Sequence, residues 1–343
     1  MPVIDYKCPS CGGSMAFDST KGMLACSSCG RTERIEDFPD PLKQSVFTDN
    51  EAREYHCNSC GADLMTDAET TATSCSFCGS PVVLADRLTG RRAPVKIIPF
   101  SISKEEAIAA FKKWCRNGLL TPRGFMTADR IKGITGIYVP YWLYDLDNDI
   151  EVQARGTKVR SYTSGDYQYT ETSHYDIYRK IRLNYVDVPI DAAAKMDDHM
   201  MDKLEPFPLR ELKSFKSPYL AGFIAESYSY DDGELLPRAK SKISSYIDSY
   251  IRNSMAGYAT VTNVDRQIDT QMKDADYVLL PVWMVVYDYN RMEHAFAMNG
   301  QTGKVVGKPP LSKMKMATWF AGIAGATLLT LKIASFMMGG GFW

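Results

Sequence analysis

The chain has 343 residues, 45% of them apolar, with 40 basic and 41 acidic side chains, enough length to bury a sizeable core in two or three domains. The net charge of −1 becomes informative when divided along the chain. Residues 1–93 hold nine Lys/Arg against thirteen Asp/Glu, whereas residues 308–343 hold four lysines and no acid. Nucleic-acid binding draws most of its affinity from neutralised phosphates, so so acidic a head removes most of the support for that function class.

The head contains four C-x-x-C-G steps: Cys8–Cys11–Gly12, Cys26–Cys29–Gly30, Cys57–Cys60–Gly61 and Cys75–Cys78–Gly79. Fourteen residues separate the inner cysteines in each half, and a shift of 49 positions superposes all four cysteines, their glycines and Asp18 on Asp67. The head is therefore an internal duplication of a metal site. Two cysteines two residues apart can aim both thiolates at one ion at about 2.3 Å, and two such turns complete a closed tetrahedron. The glycine after each second cysteine suits a turn with positive φ. We expect two tandem zinc ribbons, 1–37 with Cys8, Cys11, Cys26 and Cys29, and 55–86 with Cys57, Cys60, Cys75 and Cys78. Each would bind one structural Zn²⁺, with a hairpin between its cysteine pairs: Met15 and Phe17 against Met23 and Leu24, and Leu64 and Met65 against Thr71 and Thr73. Disulfides, redox pairs, an iron site or ligands shared between the halves are the alternatives; the matched spacing favours zinc. Two four-thiolate zinc sites would take the head to about −8. Eight reduced thiolates suit a reducing compartment, and no signal peptide precedes Cys8.

Residues 38–54 and 87–95 read as linkers by composition, the second carrying the solvated pair Arg91–Arg92. Residues 96–310 read as one α+β domain with antiparallel strands. Ser103 and Glu106 form a capping box before a helix with Ile108, Phe111, Trp114 and Cys115 on one face, which places Cys115 as a buried thiol. Strand-like runs follow at 137–144, 167–178, 182–188, 219–230 and 277–287. The first and last share a Pro-x-Trp step (Pro140/Trp142, Pro281/Trp283), and proline in such a run belongs at an edge or bulge. Helices are expected at about 192–204 and 237–254, and a hairpin turn at Asn299-Gly300-Gln301-Thr302-Gly303.

Residues 316–338 form a predominantly apolar stretch of 23 residues, long enough to span a bilayer as a helix and interrupted only by Lys332, which can snorkel. Trp319, Phe320, Phe342 and Trp343 suit the interfacial belts, and Lys308, Lys313 and Lys315 place the preceding chain in the cytosol. A single-pass membrane anchor is expected, with a buried core helix or an interfacial helix as the alternatives.

Phosphate-binding loops, H-E-x-x-H, G-x-S-x-G and dinucleotide fingerprints are absent from the sequence. His56, His174, His199 and His294 are scattered, and Asp197/Asp198 and Asp231/Asp232 read as a helix face and a turn. No active site is legible, and a non-enzymatic role is expected.

Taken together, the tandem ribbons, the run Ile137–Asp145 and the segment Asn299–Lys304 resemble bacterial membrane proteins of the YdjG type with TFIIB-type zinc ribbons. Such proteins are often labelled as replication-restart helicase-like, a label the missing phosphate loop argues against here. The resemblance implies partners of the phage-shock-protein-A or flotillin-like (SPFH) classes and a membrane-stress role. The expected function is a membrane-tethered adaptor. A nucleic-acid-binding ribbon protein and an enzyme with an unrecognised site in 96–310 are the alternatives.

Overall fold

The computed structural model describes residues 3–37, 54–57, 59–60, 63–66, 69–75, 78–84, 88, 93–116, 120–122, 134–289 and 292–337. Most of both linkers, Gly61, Asp67, Arg91–Arg92 and the terminal Phe342–Trp343 lie outside them. The head holds β1 (Val3–Ile4), β2 (Met15–Asp18), β3 (Met23–Cys26), β4 (Thr32–Glu33), β5 (Glu54–His56), β6 (Asp63–Met65), β7 (Thr70–Ser74) and β8 (Pro81–Leu84). The body follows with β9 (Lys96–Ile97), α1 (Lys104–Arg116), β10 (Thr135–Ser164), β11 (Tyr167–Asp191), α2 (Asp198–Leu204), β12 (Lys213–Ser214), β13 (Ile224–Glu226), α3 (Asp232–Ser254), β14 (Thr260–Tyr289), β15 (Met292–Asn299) and β16 (Val305–Gly307). The chain then enters α4 (Lys313–Met337).

Two strands of 30 residues, β10 and β14, organise the body. At roughly 3.3 Å per residue each could extend about 100 Å. β10 is central, pairing antiparallel with β14 from Thr135↔Met284 to Thr157↔Thr260 and with β11 from Tyr141↔Asp191 to Ser164↔Tyr167. Beyond Asp145 these three strands form a narrow blade. Its side chains alternate with period two. Leu146, Ile150, Val152 and Ala154 are buried, whereas Asp149, Gln153 and Arg155 are exposed. Helix α3 covers the apolar face with Ala239, Ile243, Ile247 and Ile251, a spacing of four that keeps one helix stripe inward. Buried Asn148 on the same face is satisfied: its amide donates to the Leu183 carbonyl (3.1 Å), and Thr270 Oγ1 donates to its oxygen (2.7 Å).

The two Pro-x-Trp steps lie on adjacent strands in opposed register, Tyr138↔Pro281 and Pro140↔Leu279. Neither proline disrupts the sheet, because each stands where one flanking strand gives way to another. β10 leaves parallel β13 (Ile137, Tyr138) and meets β11 at Tyr141; β14 leaves parallel β9 (Val278, Leu279) and meets β15 at Val282. The Pro140 and Pro281 carbonyls accept from the amides of Ala192 (2.9 Å) and Gly300 (2.9 Å), so the missing N–H groups face the same strand changeovers. Both indoles are anchored to carbonyls, Trp142 to Tyr230 (3.0 Å) and Trp283 to Ile102 (3.1 Å).

The β9–β14 and β10–β13 pairings make the sheet mixed, correcting the expectation of a wholly antiparallel domain. The run 219–230 also differs. Residues 217–220 form a 3-10 turn and only Ile224–Glu226 is strand, because Pro218 and Gly222 (φ +92°) interrupt the ladder. The helix expected from 192 begins at Asp198, capped by Asp197, whose carboxylate accepts from Met200 N (2.7 Å). The third helix begins at Asp232 rather than 237, with Asp231 and Glu234 forming a reciprocal capping box.

The ribbons are fused to this body. Ribbon 1 packs on residues 217–222 through side chains and one backbone hydrogen bond. Phe17 meets Tyr219 edge-on at 5.4 Å, its amide donates to Ala221 O (2.9 Å), and Tyr6 and Ser217 hydroxyls are 2.7 Å apart. Gly222 permits this approach, since a Cβ there would stand 3.1 Å from Ala16 Cβ. Ribbon 2 joins through its backbone: β7 pairs with β13 (Ala72↔Ala225) and β8, and β8 pairs with β1. The expected second hairpin also divides among the described residues, β6 pairing with β5 while β7 is drawn into the central sheet.

Candidate metal centres

Three of the four C-x-x-C-G steps show their turn among the described residues, and each closes as its spacing requires. The amides of Gly12, Gly30 and Gly79 donate to the carbonyls of Cys8, Cys26 and Cys75 at 2.8–3.0 Å. The same glycines have φ of 72°, 74° and 72°, where a side chain would be strained. In ribbon 1 the hairpin β2–β3 (Met15↔Cys26, Asp18↔Met23) brings the two turns together. Asp18 closes that hairpin by accepting from Thr20 N (2.9 Å) and Thr20 Oγ1 (2.5 Å). In ribbon 2 the apolar support is Tyr55, Val82 and Leu84 around Cys57 and Cys75.

The sulfurs form two separate groups, Cys8/Cys11/Cys26/Cys29 and Cys57/Cys60/Cys75/Cys78, each with all four Sγ atoms within 4.8 Å of one another. Sharing of ligands between the halves is thereby excluded. Cys8–Cys29 and Cys11–Cys26 Sγ distances are 3.6 and 3.5 Å; Cys57–Cys78 and Cys60–Cys75 are 3.7 and 3.8 Å. A disulfide needs about 2.05 Å. Four sulfurs at about 2.3 Å from a tetrahedral ion stand roughly 3.8 Å apart. The donor set therefore fits a metal ion in each ribbon.

Electrostatics point the same way. The Cys29 amide, opposed by burial and aided by the Ser28 amide, lowers the Cys26 thiol to about 6. Cys11 is held toward the thiolate by the Gly13 amide, yet the crowding Cys29 and Cys26 sulfurs push it up to about 12. Four thiols this close cannot all ionise without a cation among them. In each step the first cysteine is buried and the second exposed, so the clusters lie at the surface with their inner sulfurs on the core. Closed four-sulfur sites leave no position for a substrate.

The remaining candidates lie elsewhere. Cys115 is half-buried, and burial pushes its thiol up to about 11, which makes it a poor nucleophile at neutral pH. His174 and His199 are exposed and apart, and the side chains of His56 and His294 lie outside the described residues. Sequence reasoning missed an ion network joining α2, α3 and the end of β11. Arg238 donates to fully buried Asp191 (2.6 Å) and approaches Asp198 and Asp202, while Lys242 bridges Asp202 (3.1 Å) and Glu205 (2.6 Å). Burial, outweighing the Arg238 contact, pushes Asp191 up to about 6. The only signal in the sequence was Arg238 and Lys242, four apart on one helix face. Within the network every cation is matched by a carboxylate, and it ties helices to sheet.

These features define a class: a two-centre cysteine-ribbon protein whose ribbons are built into a long mixed sheet followed by an apolar C-terminal helix. No family model and no solved structure matches the chain. It is 62% identical over 340 residues to the uncharacterized protein YdjG of Bacillus subtilis (strain 168), covering 99% of this chain and 100% of that relative. The chain belongs to the YdjG family.

Proposed function

We propose that this protein is a membrane-tethered, non-enzymatic adaptor. Each four-cysteine centre holds a structural Zn²⁺, α4 crosses the membrane, and head and blade face cytosolic protein partners. The observation that carries the reading is α4. The stretch Lys313–Ser335 is long and apolar enough to span, and its most apolar window is wholly unburied by the rest of the chain. Phe320, Leu328 and Leu329 are each more than 60% exposed, where a core helix would bury them. Thr318, Thr327 and Thr330 return their hydroxyls to helix carbonyls at 2.8–2.9 Å, which suits a surrounding without water.

The partner-facing surface of this reading is the end of the blade. Past the last pair with β14, the β10–β11 ribbon runs on alone to the turn at Gly165. It exposes Val159, Tyr162, Tyr167 and Tyr169, with Tyr162 and Tyr169 stacked at 5.5 Å. Aromatic groups presented on a projecting ribbon suit protein recognition. Partners of the phage-shock-protein-A or SPFH classes are the ones the family resemblance implies.

The test is a pull-down from solubilised membranes with the full chain, the chain lacking 316–343, and a chain in which a two-residue turn replaces 158–173. The full chain should sediment with membranes and retain a partner; the first deletion should become soluble; the second should stay in membranes and lose the partner. Intact protein in the soluble fraction would refute the tether, and undiminished capture by the blade deletion would refute its role.

A further inference from the structure

Beside the start of α4 lies a second feature, built from three parts of the body. A cleft of about 650 Å³ opens between α2 and β16, and Trp114 at the end of α1 forms one wall. Its apolar lining comes from Trp114, Met200, Val305 and Val306, and its rim carries Lys203, Lys304 and Lys308 with His199. That volume is in the range of small-molecule sites. Its charge is one-sided. Among the described residues none of the three lysines has a carboxylate partner: Lys304 Nζ donates to a backbone carbonyl, Glu205 O (2.5 Å). Asp197, the acid on the lining, is engaged as the cap of α2, and neighbouring Glu205 is paired with Lys242.

The cleft is also held next to the apolar helix. Lys308 stands five residues before Lys313, a reach of at most about 18 Å. The first turn of α4 is fastened to the chain just after α1, with Ser312 N donating to Leu120 O (2.8 Å) and Lys315 Nζ to Thr121 O (2.7 Å). A pocket with an apolar floor, a cationic rim and a fixed station at the foot of a membrane helix matches an amphiphile whose head is anionic.

We propose that this cleft binds the phosphate headgroup and upper acyl chain of an anionic phospholipid drawn from the leaflet that α4 enters. The proposal rests on the membrane reading of α4. The lysines pair with the phosphate, Trp114 and Met200 pack on the chain, and the bound lipid fixes the body against the bilayer.

The test uses the full chain in phosphatidylcholine nanodiscs with rising fractions of phosphatidylglycerol brominated on its acyl chains. Quenching of Trp114 is read by difference from a Trp114→Phe chain, which removes the signal of the other tryptophans. Saturable quenching is expected, with half-saturation shifted about thirtyfold in Lys203→Gln/Lys308→Gln, the equivalent of ~1 kcal/mol per lysine. Met200→Trp, which crowds the apolar floor of the cleft and leaves its charge intact, should lower lipid retention measured by mass spectrometry of the released protein. A chain that enters the nanodisc but shows equal quenching with and without the lysines overturns the site and leaves the anchor standing. A chain that fails to enter overturns both. Displacement of the lipid by millimolar inorganic phosphate would show a free-anion site and overturn the lipid assignment.

Discussion

Replacing Asp191 by Asn tests the physical account of the ion network under α3. Asp191 is 1% exposed, and one of its oxygens, Oδ2, is buried without a partner, while Oδ1 receives Arg238. Burial pushes its folded value up to about 6, against 3.8 in an unfolded chain. The folded protein therefore binds the extra proton between these values. Asp191 supports folding best below about pH 4, and its contribution falls as pH rises through 6. The whole span corresponds to about 3 kcal/mol, at ~1.36 kcal/mol per unit. About 1 kcal/mol of it falls between pH 5 and pH 7. Asn cannot ionise, so Asp191→Asn should gain about that much stability relative to the parent across the same window. Urea unfolding of both proteins, with zinc present, measures the difference at each pH, in which the metal's own pH dependence cancels. A flat difference, or one that falls as pH rises, would show that Arg238 holds the carboxylate ionised and would refute the reasoning.

Removing the other partner should do the reverse: Arg238→Met strands a buried carboxylate and should cost about 3–5 kcal/mol at pH 7, less at pH 5, by the same assay. Purified protein should carry about two zinc ions per chain by elemental analysis, and Cys26→Ser should bring this toward one while ribbon 2 keeps its ion. Phe17→Ala removes a 6% exposed ring from the ribbon 1 junction and should cost roughly 3–5 kcal/mol, seen as early proteolysis of residues 1–37. At Gly136 a Cβ would stand 2.6 Å from the Phe223 ring, so Gly136→Ala should lower Tm by overpacking, at about 1–3 kcal/mol.

Much of this protein is local and so legible in order along the chain. Cysteine spacing and the following glycines determine the metal turns, because ligand reach and positive φ are properties of three or four consecutive residues. Ser103/Glu106 and Asp231/Glu234 are equally local caps, although the second escaped notice because Asp231-Asp232-Gly233 also reads as a turn. The apolar run of α4 is visible for the same reason. Tertiary structure decided what those pieces join. That β10 and β14 run 30 residues each, that their prolines mark strand changeovers, and that β7 pairs with β13 and not with β6 all depend on which edge is free in three dimensions. Backbone edges have no side-chain signature. The same holds for the Arg238 network, whose ion pairs join residues 36 to 47 positions apart, and for the lysine-rimmed cleft, whose lining runs from Trp114 to Lys308; both assemble only because α1, α2, α3 and β16 pack on one sheet.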